Sequence, residues 1–346
     1  MNRQPCRFPL RSITVLLVVT LGLPLAMPAS SQAQKPVLIK VATLAPDGSS
    51  WIKTFQAMMS EISKKTENKV QTRLYPGGVL GDETDMLRKM QIGQIQGAAL
   101  TSGGLSALNK EIDVLQIPFF FQNDAEVDYV LNKMDAFFRK GFEENGYVLL
   151  GWSEAGFINL MSTIPIQTVS DMKRAKVWVW DVSSMSKVIF DELGVKSIPL
   201  TVPDVLVGLQ TGLVDVVYGP PSGALALQWF TKIKYLTDVP LAYVAGGVLV
   251  RKDTFRQIAP AHQEFLLETF QRHLNQLKGV TRRENRDAIQ VMAKHGVKII
   301  LPTRPQIEEF RKLTDRAMAH PGSRSFSKQV FDEVSSFLAA YRKEGK

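Results

Sequence analysis

Hydrophobic positions along the chain switch repeatedly between a period near two and a period near 3.6. A β-rich run over 37–42 precedes Trp51, Ile52, Phe55, Met58, Met59 and Ile62, which share one helical face, and Ser49 is placed to cap that helix. A strand over 70–74 runs into the turn Tyr75-Pro76-Gly77-Gly78. A helix over 82–92, an apolar strand of small residues over 97–100, the aromatic run Phe119-Phe120-Phe121, a helix over 124–144 and a strand over 147–152 follow. A second set starts with a strand over 158–161, a helix beginning near Ser170-Asp171 and a strand over 176–180. Met185, Val188, Ile189 and Leu193 then mark a helix, and strands over 197–200 and 214–218 close the set. The apolar stretch 241–250 returns the chain to the first set. Between Pro260 and His295 a long helix carries Phe265, Leu266, Thr269, Phe270, His273, Leu274 and Leu277 on its apolar face, before a strand over 297–301 and two polar helices.

Strands alternating with amphipathic helices define an α/β chain with largely parallel sheets. Two such sets joined by more than one crossing strand predict two lobes with a ligand cleft between them, the long helix bracing both. The expected division is residues 34–155 with 244–283 in a first lobe, and 156–243 with 284–346 in a second.

The leader adds an address. Arg3, Arg7 and Arg11 precede an apolar run over 13–27, and small residues end at Ser31-Gln32-Ala33, the pattern of a secretory signal peptide spanning residues 1–33. Pro24 and Pro28 interrupt the run, which is too short for a membrane span. Cys6, the only cysteine in the chain, precedes the apolar run and so cannot be the lipid-carrying residue of a lipoprotein. Without the leader no thiol is left for catalysis or thiolate metal binding, and the expected location is the periplasm. The formal charge of +9 includes the leader arginines, and the cluster Arg282, Arg283, Arg286 is interspersed with Glu284 and Asp287. That is a solvated helix face, and nucleic acid is not an expected partner.

Short motifs then accumulate in a fixed order: Lys40-Val41-Ala42, Pro46 and Ser49, Lys65-Thr66, Tyr75-Pro76, Leu80-Gly81-Asp82-Glu83, Gly93 and Pro118-Phe119. Further on come Pro165-Ile166, Asp171-Met172-Lys173, Lys176-Val177, Leu193-Gly194, Pro199-Leu200 and Leu209-Gln210-Thr211-Gly212-Leu213-Val214-Asp215. In order and spacing the chain resembles the substrate-binding subunits of tripartite ATP-independent periplasmic (TRAP) transporters over nearly its whole mature length. The resemblance implies a two-lobed periplasmic binding protein of type II-like α/β fold with hinge strands, no catalytic residues and no cofactor. It also implies a TRAP-type membrane permease as partner.

The resemblance further implies an arginine after the Lys-Val pair to clasp a carboxylate with its planar fork, and Trp178 stands there instead. Other ligand positions of the family fall at Leu44, Thr101, Ile158, Val202 and Gly219, with Tyr218 beside the last. Trp178 and Trp180, two apart on a strand, face one side and offer indole wall with a single donor each. Burying a carboxylate there without a cation costs several kcal/mol. The expected ligand is therefore hydrophobic, lipid- or fatty-acid-like, as in the branch of the family that works with a tetratricopeptide-repeat helper. The alternatives are an organic acid held at a non-standard anion site, or a periplasmic adaptor or sensor presenting its ligand to another protein.

Other chemistry finds little support. Thr101-Ser102-Gly103-Gly104 lacks the Gly-x-Ser-x-Gly frame of a nucleophile turn, and no pattern brings His262, His273, His295 or His320 to Ser102. No metal site is expected, since the histidines lack helical zinc spacing. His273 reads as a packed, hydrogen-bonded residue, and the glycine pairs at 77–78, 103–104 and 246–247 as turns and close strand contacts.

Overall fold

The computed structural model describes Met1 and residues 35–180, 184–319 and 324–345. The leader, its cleavage point and His320 lie outside the described residues. Among those described, no helix is long and apolar enough to cross a membrane.

The first sheet gathers β1 (Val37–Thr43), then, past α1 (Ser50–Lys65), β2 (Val70–Tyr75) and, past α2 (Glu83–Gln91), β3 (Gly97–Thr101). Helices α3 (Ser102–Leu108) and α4 (Asp124–Glu144) lead to β4 (Tyr147–Phe157). Alternation along the strands feeds two cores: Ile39, Val41 and Ala99 pack toward α1, while Ala42, Ala98 and Leu100 pack toward α2 and α4. The caps are where the polar residues require them. Ser49 accepts from the Ile52 N–H, Asn123 accepts from that of Glu126, and Asp82 and Asp85 form a reciprocal capping box at α2.

The second sheet holds β5 (Asn159–Ser162), then, past α5 (Val169–Arg174), β6 (Val177–Trp180) and, past α6 (Ser184–Leu193), β7 (Ser197–Leu200). After α7 (Val205–Gln210) come β8 (Val216–Gly219), α8 (Pro221–Ala226) and β9 (Tyr235–Thr237). Helix α5 starts earlier than its charged residues imply, because Thr168 is the cap and Asp171 closes its capping box. The chain returns to the first sheet as β10 (Tyr243–Arg251). It continues through α9 (Lys252–Arg256) and α10 (Pro260–Lys294), and ends with β11 (Lys298–Ile300), α11 (Arg304–Ala319) and α12 (Lys328–Lys343).

The strand orders are β2-β1-β3-β10-β4 and β11-β9-β5-β8-β6-β7. Among the described strands, the reversed one in each sheet is the one that arrives from the other: β10 is antiparallel to β3 and β4, and β5 to β8 and β9. Ile158 alone separates β4 from β5. There the two crossing segments are stitched together, the Ile158 N–H donating to the Ala242 carbonyl and the Leu241 N–H to the Ile158 carbonyl, both at 2.9 Å. Helix α10 packs on β4 and α1 at one end and on α8 and β11 toward the other, so it braces both sheets. Helix α12 packs on α4, where Arg342 pairs with Glu126.

Candidate functional site

Five of the parallel strands stop at the same crevice, and the residues at or just beyond their carboxyl ends line it. Thr43 and Leu44 end β1, Thr101 ends β3, Trp180 ends β6, Val202 follows β7, and Tyr218 and Gly219 end β8. Together with Ile158 at the crossover and Trp178 on β6, they surround one cavity of about 230 Å³. Every candidate residue named from the sequence therefore lies on that cavity. The crevice at the carboxyl ends of strands is where open α/β sheets place ligands.

One wall is aromatic. The ring of Trp178 stacks on Tyr218 with centroids 4.8 Å apart and meets the edge of Trp229 at 5.4 Å. At 2 % exposure, Trp178 is a core residue of the second lobe as well as cavity wall, and its indole N–H is taken by the Leu200 carbonyl at 3.0 Å. No donor of Trp178 is left for a solute. Trp180 is less buried and reaches across to the first sheet, where its Nε1 donates to Asp82 Oδ2 at 2.9 Å. Its backbone N–H donates to the Tyr218 hydroxyl, and the Val202 N–H meets the same Asp82 oxygen at 3.1 Å. The approach depends on Gly103, where an added Cβ would stand 2.9 Å from the Trp180 ring. Gly103 and Gly104 are thus close-approach positions, but on helix α3 and not in a turn or strand.

The opposite wall carries residues that the sequence reading does not single out. Glu83, fully buried on α2, accepts from the backbone N–H groups of Thr101 at 2.7 Å and Gly104 at 2.6 Å, and from the Thr101 hydroxyl. Burial raises its carboxyl to a pKa of about 8; the neighbouring Asp82 pushes the same way, and the three hydrogen bonds only partly oppose it. Glu83 is therefore largely protonated at neutral pH. Thr281, on α10, is 2 % exposed and its hydroxyl has no hydrogen-bond partner among the described residues. Glu284 also lines the cavity, held by the Ser50 hydroxyl. None of the described residues lining the cavity is a lysine or an arginine. The nearby Arg282 is committed elsewhere: it bonds Glu154 and Asp128 beneath the crossing strands, at 2.7 to 2.9 Å.

Ser102 is fully buried and donates to the Ala245 carbonyl at 3.1 Å, so its hydroxyl serves the packing of α3 on β10. His273 pairs with Glu61 at 2.8 Å, away from the cavity. Asp82 and Glu83 could have been found from the polar pair that opens α2, but in sequence that pair is indistinguishable from an ordinary helix cap.

Two sheets, a stitched double crossover and a cavity at the strand ends define a two-lobed α/β solute-binding protein. Residues 41–324 match the model of the bacterial extracellular solute-binding proteins, family 7, and the chain belongs to that family. It is 25% identical over 294 residues to the 2,3-diketo-L-gulonate-binding periplasmic protein YiaO of Escherichia coli (strain K12), covering 84% of this chain and 88% of the relative. Among solved structures, it superposes with a TM-score of 0.82 at 21% identity on a TRAP periplasmic solute-binding protein from Ralstonia eutropha H16 with bound (S)-2-acetolactate. That match covers 88% of this chain and 99% of the other. A TRAP solute-binding protein from Desulfovibrio salexigens with bound orotic acid gives a TM-score of 0.80 at 20% identity, covering 88% and 99%.

Proposed function

We propose that this protein captures a small carboxylic acid with a substantial apolar body in the periplasm and delivers it to a TRAP-type permease. The observation that carries the reading is the cavity itself, an aromatic wall facing the buried Glu83 carboxyl and the Thr281 hydroxyl, with no lysine or arginine among the described residues that line it. The acid is argued from the relatives, whose named ligands are 2,3-diketo-L-gulonate, acetolactate and orotic acid. The apolar body is argued from Trp178, Trp180, Tyr218 and Trp229. The sequence expectation of a lipid-like cargo thus gives way to an acid held at a non-standard anion site.

That site works without a guanidinium. Glu83 brings a carboxyl proton to the wall, and a hydrogen bond from an un-ionised carboxyl to a carboxylate is short and strong. Thr281 supplies a second hydroxyl. The lobes divide at Ile158 and the 241–243 segment, so a solute in the cavity touches both and favours their closed arrangement. A purely apolar solute, carried with a tetratricopeptide-repeat helper, has the cation-free lining in its favour and no support from the ligands of the named relatives.

Native mass spectrometry of the freshly purified protein, paired with thermal-shift titrations, tests this. The panel holds sugar acids, 2-keto acids, aryl acids, fatty acids and matched neutral amides. The expected result is stabilisation by acids with an aryl or branched body and none by their amides. Recovery of a neutral lipid, with no acid in the panel stabilising the protein, would reject the acid reading.

A further inference from the structure

Behind the crossing strands lies a second cavity, of about 120 Å³, on the far side of Trp180 and Tyr218. The two cavities share Ile158, Trp180, Tyr218 and Val244 as a common partition. The rear compartment is walled by Met172 of α5, Met185, Ile189 and Phe190 of α6, and Phe310 of α11. None of the described residues lining it carries a charge at neutral pH. A charge-free compartment of this size that shares a wall with the cleft is shaped to take an apolar group.

The compartment has one fixed wall and one movable wall. Phe119 forms its roof with a backbone φ of +61°, a left-handed conformation that an aromatic residue rarely adopts. It is fixed there by its N–H to the Leu241 carbonyl at 2.6 Å and by the Arg311 guanidinium 5.2 Å from its ring centroid. The partition, in contrast, is movable. Trp180 is only partly buried, and its ring is tied by a single side-chain hydrogen bond, to Asp82.

We propose that the rear compartment is the tail pocket of the binding site, receiving a phenyl-sized apolar group of the solute whose acid end stays in the cleft. An apolar cavity of about 150 Å³ holds a benzene ring, which sets the scale of the group. This rests on the acid reading of the cleft and deepens it: solutes with an aryl or branched end several bonds from the carboxyl are preferred over compact acids. Entry displaces the Trp180 ring from Gly103 and joins the two spaces.

Isothermal titration with phenylacetate, 3-phenylpropionate, 4-phenylbutyrate and 5-phenylpentanoate measures the reach from cleft to pocket. Affinity is expected to rise at least about tenfold along the series as ring and methylenes become buried. Ile189→Phe fills the compartment and should erase that rise, read as the ratio of 5-phenylpentanoate to phenylacetate affinity. Phe190→Ala, which enlarges the compartment, should move the preference to longer or bulkier tails and keeps the test open if the filled variant fails to fold. Short acids that bind while affinity stays flat or falls with length, or a ratio unchanged in both variants, would overturn the tail pocket and leave the acid reading standing. Failure of every acid to bind, short or long, overturns both.

Discussion

At the scale of single residues, Glu83 is the group whose chemistry departs furthest from its ordinary state, and the departure has a measurable sign. Its folded pKa of about 8 lies above the usual carboxylate value. Between about pH 4.5 and 8 the folded protein keeps a proton that the unfolded chain has released. Unfolding free energy from this group alone then falls by about 1.4 kcal/mol per pH unit as pH rises, and levels off above 8. Glu83→Gln removes the titration. It also removes an acceptor, since the amide nitrogen would face the N–H of Thr101 or Gly104. The variant should therefore start less stable than wild type at pH 5 by roughly 1–3 kcal/mol and overtake it by pH 8, since wild type loses about 4 kcal/mol from this group over that range. Denaturant titrations at pH 5, 6.5 and 8 measure the two slopes. Parallel slopes would mean that Glu83 is ionised throughout.

At the scale of elements, Arg282 joins four of them. From α10 its guanidinium reaches Glu154 on β4 and Asp128 on α4, and the Tyr243 hydroxyl on β10 donates to Glu154 at 2.6 Å. The Glu154 side chain is fully buried, so Arg282→Met strands a charge and should cost about 3–5 kcal/mol in chemical denaturation. Adding Glu154→Leu should recover part of that loss by removing the unpaired charge, the remainder reflecting the Tyr243 hydroxyl and Asp128 left without these partners. If the double variant is as unstable as the single one, the network is mainly a packing device. Elements of this kind were legible in the sequence to different depths. Helix α1 was readable because Ser49 and the spacing from Ile52 to Ile62 state both its start and its buried face. The cleft positions Leu44, Thr101 and Gly219 were readable only through the resemblance to TRAP binding subunits, and Trp180 through its spacing from Trp178 on one strand. The Arg282 network was not, since Arg282 and Glu154 are 128 positions apart and their pairing exists only after α10 has packed on β4. The packing of α12 on α4 was hidden for a related reason: chain order puts it after β11, but its contacts with α4 come from tertiary packing.

At the scale of the whole molecule, the question is what holds the two lobes together when the cleft carries no solute. Asp82 caps a first-lobe helix, yet one of its oxygens accepts from Trp180 and Val202 of the second lobe. Hydrogen bonds to a charged group are worth about 1.5–3 kcal/mol each, so the pair can bias an open–closed equilibrium substantially. Asp82→Asn separates this role from capping. Asparagine caps a helix about as well as aspartate, but its amide nitrogen cannot accept from two N–H donors. The unliganded variant should open, with a larger radius of gyration in small-angle scattering than wild type, and close again at saturating solute. Its apparent affinity should fall by the fraction of molecules lost from the competent state, while its melting temperature stays near that of wild type. Equal scattering curves for the two unliganded proteins would show that the lobes are set by α10 and the stitched crossover, making the cleft a fixed chamber that the solute enters by moving Trp180 alone.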